Sequence, residues 1–325
     1  MSTLDGDSAA ALLDALPEFG GRAYGLEPLF LPFHPGRDEG GGGTDPAARY
    51  PELWGTGTGR APSGGPVGPG VPASAEQLFW FRWITGHQLT FLFWQELRRR
   101  AGEVPTAPDG PGGVPSAARL VRGYSAMLLY TASCTRDVYH RLIRPSMIRY
   151  HPGFAGSWAR DYGHVRALLR GRLPTAWGGR ADPLLRECTL HDAVHEGIAR
   201  KLVPGAPSLL QASAGSGRIL PREVRAVLYD TYFLTLRAPC SRSDVTSQLL
   251  RRVRAVRDDL TANGLYPGFA SSRQEKPAAL TAAAVEECEE AIPQLLSALA
   301  RDAVGRWALV PLAERPREGT GTHGT

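Results

Sequence analysis

The sequence predicts an all-α protein, a helical bundle entered through a loose N-terminal arm rich in glycine and proline. Three observations carry that reading. Beyond residue 74 the apolar residues recur at helical spacing. Capping residues and prolines bracket the periodic stretches. Runs with the alternation of a half-buried strand are scarce. The composition, 42% apolar and 21% charged over 325 residues, is that of a globular chain, neither disordered nor membrane-like.

Residues 1–73 read as the arm. Their start, MSTLDGDSAAALLDALPEF, has no basic cluster followed by an apolar block, so no secretory signal is expected and a soluble cytoplasmic protein is. The stretch 35–73 is too rich in Gly and Pro to hold a helix or a central strand; its aromatic island, Tyr50 and Trp54, suggests a lid. Ser74, with Gln77 three residues on, forms a capping-box pattern that opens the first long helix. Leu78 to Leu97 is the most hydrophobic run, but Arg82, His87, Gln88, Gln95 and Glu96 interrupt it, which makes it a core helix and not a bilayer span. After a second break at 101–116, a helix starts near Ser116, carrying Leu120, Tyr124, Met127 and Leu128 at helical spacing. Further helices are expected over 156–170, 183–202, 222–236, 243–263 and 281–307, the last kinked at Pro293. Neither break separates regions of different composition, so the expectation is one helical domain over 74–312 and a disordered tail over 313–325.

The net charge of +5 comes almost wholly from arginines spread along helices, which reads as solvated helix faces; no nucleic-acid partner is expected. Cys134, Cys188, Cys240 and Cys288 form neither CxxC nor CxxCH. That argues against a disulfide scaffold, thioredoxin chemistry and covalent c-type haem, so any cofactor is expected to be held without a covalent bond.

Three constellations could carry chemistry. His87 shares a helix face with Trp83, Phe91 and Trp94, and burying an unpartnered polar group costs on the order of 1–3 kcal/mol, so this imidazole needs a carbonyl or a ligand. His191 and His195 lie four apart on another helix, with Ile198 and Leu202 continuing the stripe. Three readings are open there: part of a zinc site with Cys188, a solvated or capping pair, or the axial ligand of a haem, with Asp192 or Glu196 orienting the imidazole. Arg160 follows a Gly-Phe turn, where its guanidinium could clamp a carboxylate through two parallel hydrogen bonds or simply lie on the surface. The Gly/Ser turn at 211–221 lacks a Walker lysine and is a poor phosphate signature.

In order along the chain, these segments resemble the haem-dependent aromatic oxygenases related to tryptophan 2,3-dioxygenase. That family carries His-Gln-x-x-x-Leu-Trp-Phe on a distal helix, and this chain has His87-Gln88-Leu89-Thr90-Phe91-Leu92-Phe93-Trp94. The family's Gly-Phe-x-Ser-x-x-Phe-Arg corresponds in spacing to Gly153 through Arg160. Its proximal histidine precedes a Gly/Ser-rich loop, as His195 precedes Ala212-Ser213-Ala214-Gly215-Ser216-Gly217. The Thr-Gly-Gly core of that loop and the Trp-Arg-x-Arg-His lead-in are absent, which directs the resemblance to the histidine-ligated haem L-tyrosine 3-hydroxylases of natural-product and antibiotic biosynthesis. Ala199 makes the branch that tethers haem through His-x-x-x-Cys a poorer match. The resemblance implies a tryptophan 2,3-dioxygenase-like bundle holding non-covalent haem b, with His195 as the iron ligand and His191 as the alternative. It implies His87 as the proton-moving distal residue and Arg160, Trp83, Phe91, Ser213 and Ser216 as substrate-binding residues. L-tyrosine and hydrogen peroxide would give L-DOPA in a cytoplasmic homodimer with no membrane partner. The alternatives are a dioxygenase that opens an indole ring and a non-catalytic helical regulator.

Overall fold

In the computed structural model, residues 24–40, 72, 74–102, 113–174, 177, 181–205, 209, 220–267 and 275–307 are described. Helix α1, Ala75–Gly102, runs through the middle of the molecule with most of its side chains buried, and the Ser74 hydroxyl accepts the Gln77 backbone N–H at 3.2 Å to start it. Helix α2, Val114–Thr131, starts two residues before the expected Ser116 because Pro115 occupies its first turn, where a missing N–H costs nothing. α1 and α2 run antiparallel and so close that glycine is required. A Cβ at Gly123 would stand 2.7 Å from Leu299 Cδ1 and 3.1 Å from Phe93 Cε2, and one at Gly86 would collide with Thr131.

The next helix, α3 (136–150), is an irregular element that periodicity does not predict. It opens with Arg136–Val138, widens to a π turn over Tyr139–Ile143, and closes with Arg144–Tyr150. The helix expected over 156–170 divides. A 3-10 turn, Gly156–Trp158, is followed by Ala159 in a non-helical conformation and then by α4, Tyr162–Leu169, which lets Phe154 and Trp158 bury inward. Helix α5 is Asp182–Leu202. Helix α6, Arg222–Tyr232, ends before the expected 236: Leu234 takes a left-handed φ of 50° and the chain turns into a short strand, β2, Thr235–Arg237. Helix α7, Arg242–Asn263, begins with a full capping box between Ser241 and Asp244. The final segment breaks at Ala291, so that Ala283–Glu290 (α8) and Ile292–Trp307 (α9) are separate helices, with Pro293 in the first turn of the second.

The arm is not loose where it is described. Leu29–Leu31 forms β1, wholly buried and paired in parallel with β2. An extended segment in a helical core must have its backbone groups satisfied. β2 does so on one side; on the other the Gln248 side chain accepts from Phe30 N at 2.7 Å and donates to Phe30 O at 2.8 Å, while Arg252 donates to the carbonyls of Glu27 and Pro28. The lid island at Tyr50 and Trp54, the loop residues Ser213 and Ser216, and the tail over 313–325 lie outside the described residues. The remaining architecture is the expected helical bundle. No helix among the described residues is long and apolar enough to cross a membrane.

Candidate active site

Antiparallel packing of α1 on α2 and parallel packing of α2 with α5 tie the helix that carries His87 to the helix that carries His191 and His195. The Trp94 ring lies 5.3 Å from Tyr124, and the Tyr124 ring 4.3 Å from His191, joining α1 to α5 through α2. At the other end Trp83 lies 6.2 Å from Tyr139, Tyr139 lies 5.5 Å from His140, and His140 Nε2 donates to the carbonyl of Leu202 at 2.8 Å, joining α1 to α5 through the π turn. These two rungs close a frame whose uprights are α1 from Trp83 to Trp94 and α5 from His191 to Leu202, each about 16 Å of helix. His87 and Phe91 stand on one upright between the rungs, and His195 and Ile198 on the other. Ser125 sits beside His191 and Ala132 accepts from Lys201, so Leu128, between them on α2, stands at the height of His195. Trp83, His87 and Leu128 are half-buried between fully buried chain neighbours, Ile198 is half-buried, and His195 is exposed.

His87 is held firmly in this frame. Its Nδ1 lies 2.6 Å from the Trp83 carbonyl, which can only accept, so the proton sits on Nδ1 and the Nε2 lone pair is free; Nε2 has no hydrogen bond among the described residues. The ring stacks on Phe233 at 4.5 Å and lies 4.3 Å from Trp83. The Trp83 indole is itself latched: Nε1 donates to Tyr232 at 3.1 Å, Tyr232 pairs with Ser146 at 2.8 Å, and Ser146 donates to the Ile143 carbonyl in the π turn.

On α5, His191 is buried on Tyr124, with only a long 3.5 Å contact to Ser125, whereas His195 lies one turn further on, exposed and free of hydrogen bonds among the described residues. The zinc reading finds no companions. Cys188 is buried, burial pushes its thiol up to about 11, and no cluster of three or more metal-ligating side chains occurs among the described residues.

Burial pushes the His87 and His191 imidazoles down to about 4, so both are neutral near pH 7. In the unfolded chain they titrate near 6.5. Below that pH the unfolded state takes up protons that the folded state refuses, so stability is complete above about pH 6.5 and declines as pH falls towards 4. A urea midpoint lower at pH 5 than at pH 7 is expected, the gap narrowing in His191→Gln; equal midpoints would contradict the neutral assignment.

Arg160 follows the 3-10 turn, half-buried, and makes no hydrogen bond among the described residues. The nearby acids are already engaged. Arg237 clamps Asp161 and Asp230 with Nη2 at 2.7 and 2.8 Å, and Gln95 donates to Asp161. Asp230, whose carboxyl burial pushes up, feels Arg160 only at longer range. Periodicity brought out neither this clamp nor the aromatic wall of Phe154, Tyr229, Tyr232 and Phe233 that backs His87 and Phe91. The dense aromatic run in DTYF, 230–233, was the available signal.

Several donors near Trp94 are left unsatisfied. Trp94 Nε1 is buried without a partner, and the hydroxyls of Tyr124, Tyr162 and Tyr229 make no hydrogen bond among the described residues. A buried donor left unpaired costs about 1–3 kcal/mol.

Residues 3–188 match the sequence model of a family described as SfmD 3-methyl-L-tyrosine peroxygenase. The match takes in His87, Trp94, Tyr124 and Arg160 and ends before His191 and His195. No curated protein matches the chain.

Proposed function

The chain belongs to the SfmD 3-methyl-L-tyrosine peroxygenase family, and from that premise we propose that it is a haem-dependent peroxygenase that hydroxylates L-tyrosine beside its phenol oxygen, giving L-DOPA in natural-product biosynthesis. The observation that carries the reading is the frame, which sets a free imidazole nitrogen at His87 on one upright and an unengaged imidazole at His195 on the other.

The frame suits haem b held without a covalent bond. Trp83, Phe91, Leu128 and Ile198 supply an apolar lining, His195 an imidazole nitrogen of the type suited to iron, and the four cysteines are buried thiols outside any disulfide. His195 would hold the group, since His191 is committed to Tyr124. When bound, haem supplies the redox chemistry that cleaves the peroxide O–O bond and delivers one oxygen atom to the ring, the other leaving as water. His87 Nε2 takes the proton from one peroxide oxygen and returns it to the departing one; a neutral imidazole is in the right state for the first transfer. The Nδ1–H bond to Trp83 O keeps the ring oriented throughout. Trp83 and Phe91 hold the phenol ring, Arg160 holds the amino-acid carboxylate, and Ser213 and Ser216 belong to the loop that would close the site.

His87→Ala is expected to slow peroxide-driven turnover by about a hundred- to ten-thousand-fold with haem content unchanged. Steady-state rates alongside haem absorbance check this, and a loss under tenfold removes His87 from proton transfer. The reading as a whole is tested by the absorption spectrum of protein produced with a haem precursor, followed by L-tyrosine and peroxide. A haem band and a product heavier by one oxygen are expected. A colourless protein points to a regulator, and two oxygens taken from dioxygen point to an indole-type dioxygenase.

A further inference from the structure

The rings that carry these unpartnered donors gather around Trp94 and Phe91. The Tyr124 and Tyr162 rings each lie 5.3 Å from Trp94, Phe91 lies 5.3 Å from Trp94, and Tyr229 lies 5.8 Å from Phe91. Trp94, Tyr124 and Tyr229 are at most 7% exposed, and the Trp94 indole nitrogen is shut off from solvent without a partner. Burial raises the ionisation of all three tyrosines, so each hydroxyl is a protonated donor. They come from four elements: Trp94 from α1, Tyr124 from α2, Tyr162 from the start of α4 and Tyr229 from α6. Arg160 stands two residues before Tyr162, and Tyr229 Oη lies 4.0 Å from where a Cβ of Gly156 would be, so the Arg160 turn borders the same space.

We propose that Trp94, Tyr124, Tyr162 and Tyr229 form a donor-lined subsite that takes a carboxylate. An indole N–H, three phenol O–H groups and an adjoining guanidinium complement an oxygen anion and repel an ammonium. The subsite rests on the peroxygenase reading, which supplies two carboxylate sources: the amino acid and a haem propionate. Along α1, Trp94 is about 10 Å from His87, the reach an extended tyrosine needs between phenol and carboxylate.

Tyr124→Phe and Tyr229→Phe keep the ring packing and remove one hydroxyl each. Binding of L-tyrosine and of tyramine, which lacks the carboxylate, is measured by calorimetry in each variant together with haem absorbance. If the substrate is the source, each variant weakens L-tyrosine roughly tenfold or more while tyramine is unchanged. If the propionate is the source, haem retention falls and the ratio of the two affinities stays constant. Unchanged haem content with an unchanged ratio in both variants overturns the subsite. Failure of the peroxygenase reading would be seen separately, in wild-type protein that neither holds haem nor consumes peroxide.

Discussion

His195→Ala is expected to yield a folded, colourless protein. The imidazole is exposed on α5 and makes no hydrogen bond among the described residues, so its removal belongs with surface substitutions that change stability by about 0.5 kcal/mol or less. If it would hold the iron, the same change removes that ligand, and haem is lost. His191→Ala should behave in the opposite way. It empties a space packed on Tyr124 and Ser125 and lowers the unfolding midpoint, but leaves the haem band in place. Haem absorbance and urea denaturation, run on both variants, separate the two roles. Full haem absorbance in the His195→Ala variant would remove His195 as the iron ligand.

Arg82→Met is expected to destabilise the fold by about 3–5 kcal/mol, because it strands a buried carboxylate. Arg82 and Asp259 are both inaccessible to solvent, with Arg82 Nε donating to Asp259 at 2.7 Å. Arg82 also donates to Ser133 and to the carbonyls of Gly264 and Leu265, tying α1 to the end of α2 and to the chain just after α7. In the variant, Asp259 keeps the Tyr130 hydroxyl and the Asn263 amide but no cation. Adding Asp259→Leu should restore part of the loss, since an absent pair costs less than half of one. Urea denaturation of the single and double variants measures this; a single-variant loss below about 1 kcal/mol would show that water or a rearranged side chain reaches Asp259.

The interruption that made Leu78 to Leu97 unlike a membrane span is therefore mostly architectural. Arg82 closes the buried pair, Gln88 donates to the carbonyls of Glu27 and Phe233, and Gln95 donates to Asp161. His87 instead packs against the rings of Trp83 and Phe233. Which of these residues serves packing and which serves chemistry was not legible from spacing, because a helix face specifies direction and not what lies opposite.

Local signals sufficed for the helices. Ser74, Pro115, Ser241 and Pro293 act within a turn of their own position, and apolar periodicity selects the buried face without knowledge of the partner. The order of the chemical groups along the chain was equally plain, His87 first, then Arg160, then the His191 and His195 pair. Long-range packing decided the rest. A strand of three residues such as Leu29–Leu31 becomes stable only once β2 and Gln248 meet its backbone, and the helices that carry His87 and His191 are joined only once Tyr124 packs between Trp94 and His191. Both outcomes depend on contacts between residues far apart in sequence, whose energy no local pattern records.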